Sequence, residues 1–100
     1  MADKCGVNGV VHKDFFDDGS VQALAFEDSN GRKSVGVVAP GRHDFGIADG
    51  PETIVVTSGL LMINDLTFPT LSGNNICHIK VGDPIIFNAK DYASYLCIKG

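Results

Sequence analysis

One hundred residues suffice for one domain and not for two. With 44% apolar and 20% charged residues, the composition is that of a folded globule rather than a disordered chain. A formal net charge of −4 with only 8 Lys plus Arg excludes the basic stripe that tracks a nucleic-acid polymer, although one local Arg can still hold a small anion.

Met1 to Gly9 reads as a loose arm. It carries Asp3 and Lys4 and has no apolar run of the kind a signal peptide needs. No stretch approaches the ~20 apolar residues that cross a bilayer as a helix, so no membrane partner is expected. Cys5, Cys77 and Cys97 are odd in number and far apart, which gives no disulfide framework and points to reduced, mostly buried thiols in a cytoplasmic protein.

Val10-Val11-His12 is a short candidate strand, and the segment from Asp14 ends on an Asp18-Gly19 turn. Alternation predicts a strand over Val21 to Phe26, an Asn30-Gly31 hairpin turn, and a returning strand over Lys33 to Val38. After Ala39-Pro40-Gly41, Arg42 to Ile47 reads as a short strand, broken at Asp49-Gly50-Pro51. Glu52 to Thr57 is β-branched and apolar and reads as a buried strand, with Leu60 to Ile63 as its hairpin partner beyond Ser58-Gly59. Asn64-Asp65 turns again, and Thr67 to Asn75 reads as loop. Ile76 to Val81 is a strand with Cys77, Ile79 and Val81 on one face; Ile85 to Phe87 and Tyr92 to Ile98 follow. No helical stripe appears, and turn signals every eight to twelve residues or so mark a sandwich or barrel.

Gly36, His43-Asp44-Phe45, Glu52 and Gly59 resemble the first cupin motif, G-x5-H-x-H-x3,4-E-x6-G, with Phe45 where a metal-binding His would stand. Gly82 and Asn88 echo the second motif without its downstream His. A mononuclear metal wants three or four converging ligands, and only His43 and Glu52 are candidates. The expectation is therefore a barrel that holds no metal, with a His43/Glu52 metal-dependent cupin as a competing possibility.

A closer likeness runs through Asp14 to Gly19, Gly31-Arg32-Lys33-Ser34-Val35-Gly36-Val37, Asp44-Phe45-Gly46, Pro51-Glu52, Val55 to Gly59 and the terminal Tyr95-Leu96-Cys97. These stretches resemble the bacterial pyrimidine/purine nucleoside phosphorylase family of short single-domain cupins. The resemblance implies an all-β, jelly-roll-like cupin barrel over 14–100 with an unrelated extension over 1–13. Asn88 and Ile76 depart from the residues usual in that family. The C-terminal region is shortened between Ala89 and Tyr95 by about ten residues, the length of one strand. The implied activity is cleavage of purine and pyrimidine nucleosides by phosphate to free base and pentose 1-phosphate. It would be carried out by a homodimer with no cofactor, inorganic phosphate being a co-substrate.

Phosphorolysis of an N-glycosidic bond is mainly a matter of positioning and electrostatics around an oxocarbenium-like sugar. Arg32 is the candidate phosphate ligand, because a guanidinium forks onto phosphate oxygens, and Ser34 shares its strand face. Glu52 is the candidate acceptor for ribose hydroxyls. Phe45 and Tyr95 could stack on a base of any identity. His43 or His78 could protonate the leaving base. The alternative is a cupin that binds a small nucleoside, sugar or anion without turning it over.

Overall fold

A computed structural model describes residues 12–16, 19–28, 31–69 and 75–99. Cys5, Val10-Val11 and Asp17-Asp18 of the expected elements lie outside them. The described residues form ten strands: β1 His12–Phe16, β2 Val21–Asp28, β3 Gly31–Val38, β4 Gly41–Ile47, β5 Glu52–Ser58, β6 Leu60–Ile63, β7 Leu66–Pro69, β8 Ile76–Ile79, β9 Pro84–Ala89 and β10 Ala93–Lys99. They make a six-stranded sheet in the order β1-β2-β3-β10-β5-β8 and a four-stranded sheet in the order β4-β9-β6-β7. Every pairing between them is antiparallel.

The strands are positioned by period-two alternation. In the large sheet the inward side chains include Val21 and Ala23 of β2, Val38 of β3, Tyr95 and Cys97 of β10, Ile54 and Val56 of β5, and Cys77 and Ile79 of β8, all buried. Leu61 and Ile63 of β6 and Ile85, Phe87 and Ala89 of β9 meet them from the small sheet in one core. The expected faces of β8 hold for Cys77 and Ile79, buried, and for Ile76 and His78, exposed; the strand ends at Ile79, short of the expected Val81, which is exposed.

Three expectations need correction. The β2–β3 ladder closes at Asp28↔Gly31, so Gly31 is the first paired residue of β3 rather than the second residue of an Asn-Gly turn. Leu60–Ile63 is not the hairpin partner of β5; after Gly59 the chain crosses to the other sheet, where β6 pairs with β7 and β9. Thr67 to Pro69, read as the start of a loop, belong to β7, drawn into pairing by a tight turn at Asn64 and Asp65, whose φ values are 51° and 68°. Asn64 clamps that turn onto β9: its Nδ2 donates to the Pro84 carbonyl at 2.6 Å, and its Oδ1 accepts from the Ile86 N–H at 2.9 Å. β1 starts at His12, inside the stretch expected to be an extension. The short segment after Ala89 is a direct link to β10, which lies in the interior of the large sheet between β3 and β5.

The outer face of the large sheet carries an apolar row. The registers place Leu24 opposite Val35, Val35 opposite Leu96, Leu96 opposite Val55 and Val55 opposite Ile76, across five strands. Leu24, Val35 and Ile76 of this row are exposed.

The crossover at Gly59 has φ of 75°, and a Cβ there would meet the Tyr92 carbonyl oxygen at 2.6 Å. Left-handed backbone strain and a backbone clash then act together. Gly59→Ala is expected to cost at least about 2 kcal/mol of unfolding free energy, measured by chemical denaturation. A loss within experimental error would show that the crossover can shift freely.

Candidate functional site

Three registers build the site. Ser34 of β3 stands opposite Cys97 of β10, which stands opposite Ile54 of β5; one rung along, Gly36, Tyr95 and Val56 line up in the same way. At the open end Glu52 is opposite Lys99, and Arg32 lies one step past the last β3–β10 pair, Lys33↔Ile98. Arg32, Ser34, Glu52, Tyr95, Cys97 and Lys99 thereby line one cavity of about 320 Å³ between the sheets. That volume falls in the range of small-molecule sites.

The far wall is aromatic. A β-bulge between Asp44 and Ile47 interrupts the β4–β9 register. The Asp44 Oδ1 accepts the Gly46 N–H at 2.8 Å within it. Such an irregularity re-aims a side chain, and here Phe45 joins the cavity lining. The Phe45 and Phe87 rings meet edge to face at 4.9 Å, and Phe87 meets Tyr95 in the same way at 5.3 Å. Gly36 makes room for this shelf, because a Cβ there would lie 2.7 Å from the Tyr95 ring and its oxygen.

The polar groups are graded by depth. At the rim the Arg32 side chain is 67% exposed, and its Nε lies 4.0 Å from Glu27 Oε2. Asp49 is also at the mouth, on a loop tied to the Gly82 turn by the Ala48 N–H donating to the Asp83 carbonyl at 2.9 Å. Deeper in, the Cys97 Sγ–H donates to Glu52 Oε1 at 3.1 Å. Burial, and then the bond to Glu52 and its charge, push the Cys97 thiol up from 9.0 to about 12 against the smaller opposing effects of Lys99 and the Ser34 hydroxyl. Cys97 is therefore a neutral donor at physiological pH.

Five of the six expected site residues, Arg32, Ser34, Phe45, Glu52 and Tyr95, come together in this cavity. His43 does not line it; its ring is buried and its Nε2 lies 2.9 Å from the Ala39 carbonyl. His78 faces outward beside Thr53, with Nδ1 3.3 Å from the hydroxyl. His43 and Glu52 are thus not brought to one metal, and no group of three or more His, Cys, Asp or Glu suited to a metal is found among the described residues. Sequence reasoning missed Lys99, Phe87 and Cys97 as lining residues. Alternation from Tyr95 through Cys97 to Lys99 was the available signal for two of them.

The family model of pyrimidine/purine nucleoside phosphorylase matches residues 11–98, all but the two ends of the chain. The chain belongs to the pyrimidine/purine nucleoside phosphorylase family. A protein of that name from Vibrio cholerae serotype O1 is 36% identical over 91 residues, covering 88% of this chain and 95% of the relative. A solved Vibrio parahaemolyticus protein of unknown function is similar in structure, with a TM-score of 0.76 and 26% identity over 88% of this chain and 96% of that one. A cupin-2 domain protein from Rhodospirillum rubrum shares the fold, with a TM-score of 0.63 and 16% identity over 100% of this chain and 73% of its own. The cupin-type, all-β reading of the sequence stands on both the strands and these neighbours. In this family member the residues that carried the resemblance, Arg32 and Ser34 near the N-terminal side and Tyr95 and Cys97 near the end, share one wall of one cavity.

The raised thiol gives a pH signature. The unfolded chain releases the Cys97 proton near 9.0 and the folded one near 12, so the stability it contributes is complete below pH 9 and drains away as pH rises toward 12. Wild-type Tm is expected to fall more steeply across that window than the Tm of Cys97→Ser, whose hydroxyl does not titrate there. Parallel profiles would show that the sulfur is not held protonated.

Proposed function

We propose that the cavity between the sheets performs nucleoside phosphorolysis, releasing free base and pentose 1-phosphate from purine and pyrimidine nucleosides. The observation that carries this reading is the juxtaposition, in a chain of this family, of a cationic rim, a carboxylate and an aromatic shelf around about 320 Å³. In the proposed reaction the C1′–N bond breaks with its electron pair leaving on the base, and a phosphate oxygen forms the new bond to C1′. Arg32 and Lys99 hold the phosphate, with the Ser34 hydroxyl as a further donor. Glu52 accepts hydrogen bonds from the sugar hydroxyls and offsets the positive charge that develops on the ring.

The base lies on Phe45, Phe87 and Tyr95. Rings of this kind stack on every base, which suits a broad substrate range. His43, out of reach of the cavity lining, has no part in this scheme; the proton that the departing base gains is balanced by the one that hydrogen phosphate loses on becoming the ester, with solvent as the carrier. Inorganic phosphate is the co-substrate, and the scheme uses no cofactor. Its proposed setting is the cytoplasm, where Cys77 and Cys97 stay reduced; both are buried free thiols here.

The test is release of uracil from uridine, or hypoxanthine from inosine, with and without phosphate. Wild type is expected to turn over only with phosphate. Arg32→Ala is expected to lower kcat/KM for phosphate on the order of 100-fold. Its Tm should be unchanged, since a pair as exposed as Arg32 and Glu27 contributes little to stability. Phosphate-dependent turnover that is absent from wild type, or equal in Arg32→Ala, removes the reading. Thermal stabilisation by nucleoside without turnover would favour the binding-only alternative.

The acting form we propose is a homodimer stacked through the outer apolar row. A two-fold axis through Leu96 sets Leu24 against the Ile76 of the second copy and Val35 against its Val55, so like meets like in size and polarity. The ionisable neighbours, Lys33 and His78, lie on the rung of Ile98 and Thr53. Lying along β10 in the interface plane, the axis carries that rung onto itself in reverse order, Lys33 against Thr53 and His78 against Phe26 of the second copy, so no like charges meet. Three outward positions on each of β2, β3, β10 and β5 and two on β8 give a footprint of about 450 Å² per copy, about 900 Å² in total, the size of a weak interface. Sedimentation velocity at micromolar concentration is expected to show a dimer for wild type and a monomer for Leu96→Asp. A monomeric wild type, or a dimer that survives the substitution, excludes this face.

A further inference from the structure

Glu52 is the only carboxylate in the proposed scheme, and its hydrogen bond is to a thiol. Cys97 sits between Ser34 on β3 and Ile54 on β5, on the strand between them. On one side Ser34 stands opposite it across the β3–β10 ladder. On the other the sulfur donates its proton to Glu52 Oε1 at 3.1 Å. All three side chains line the cavity. In the bond to Glu52 the sulfur carries the proton and the carboxylate oxygen accepts it.

We propose that Cys97 is a positioning residue: its hydrogen bond to Glu52 pins Oε1 and thereby presents Oε2 to the sugar hydroxyls of a nucleoside. A glutamate at the start of a strand has three side-chain torsions to fix, and lining an open cavity it gains little from packing. A single anchored oxygen removes much of that freedom before the ligand arrives, which is the condition for an interaction to strengthen in the transition state rather than on ordering. Sulfur suits the place. It is soft and weakly hydrated, so its burial among Ile54, Phe87 and Tyr95 costs less than that of a hydroxyl, yet the carboxylate beside it keeps its proton engaged. Neither Arg32 nor Lys99 is needed for this role, so phosphate binding is separate from it.

This inference rests on the assignment of Glu52 to the sugar, and the experiment separates the two. Kinetics of phosphorolysis are compared in wild type, Cys97→Ala, Cys97→Ser, Glu52→Gln and Cys97→Ala/Glu52→Gln. Cys97→Ala is expected to lower kcat at least about tenfold with the KM for phosphate unchanged. Cys97→Ser, which keeps a donor, is expected to recover most of that loss. In the Glu52→Gln background the alanine substitution is expected to have no further effect, because Cys97 acts only through the carboxylate. Losses that multiply in the double variant, or a serine variant no better than alanine, overturn the proposal.

A second readout does not depend on turnover. The infrared S–H stretch of Cys97, isolated as wild type minus Cys97→Ala, is expected at lower frequency than that of a thiol without an anionic acceptor and to rise in Glu52→Gln. An unshifted band overturns the proposal even if the enzyme is active. A shifted band in a wild type that releases no base from any nucleoside leaves the anchoring of Glu52 intact and removes only the phosphorylase reading.

Discussion

The antiparallel register of β3, β10 and β5 is the constraint on which the rest of this molecule depends. Ser34↔Cys97↔Ile54 and Gly36↔Tyr95↔Val56 are rungs of one ladder, and Glu52↔Lys99 closes its open end. Side chains alternate faces with a period of two, so a slip of one residue would turn Cys97 and Tyr95 to the outside and bring Leu96 and Ile98 in. The core and the site would be lost together. Burial of Ile54, Val56, Val38 and Ala93 on the same face holds the register. The apolar core therefore fixes the positions of the polar groups that work at its edge.

Tyr95 and Gly36 show how tightly two distant parts of the sequence are coupled. The tyrosine ring occupies the volume that any side chain at position 36 would need. A glycine in a strand weakens it locally, and such a glycine marks a close approach. Here the approach is that of a ring which, with Phe45 and Phe87, forms the apolar wall. The small side chains Ala23 and Ala25 on β2 also line this cavity. Large residues at these positions would fill the space that a ligand needs, so the cavity exists because the sheet is locally underfilled on one face.

Much of this was legible in the sequence, for reasons that can be stated residue by residue. Turn chemistry at Gly59 and Asn64-Asp65 and alternation along β3, β8 and β10 placed most of the strands, since these signals are local. Pairing was not local. Whether Leu60–Ile63 returned beside β5 or crossed to another sheet depended on the space left around Gly59, where the Tyr92 carbonyl crowds the crossover. The site residues named from the family likeness converged because motif residues two apart share a strand face. His43 failed to join them because its ring turns to the Ala39 carbonyl, whereas Phe45, on the same strand, is brought into the cavity at the β-bulge. Lys99 was overlooked because a lysine near a chain end reads as solvated until its partner strand shows that it stands opposite Glu52.

The order of charges from rim to floor follows from the cost of burying them. A full charge loses several kcal/mol of hydration in an apolar interior, even after relaxation. Arg32 and Lys99 avoid that cost by staying at the mouth, where both are exposed. Glu52, half-buried, is compensated by one neutral donor, and the floor beyond it is uncharged, formed by Ile54, Phe87 and Tyr95. A ligand that is anionic at one end, hydroxylated in the middle and flat and aromatic at the other meets a matching group at each depth without any charge having to cross the core. Reversing that ligand would leave its anion against Phe87 and its ring in water. The same gradient that keeps the protein folded therefore sets the direction in which a ligand of that shape can enter.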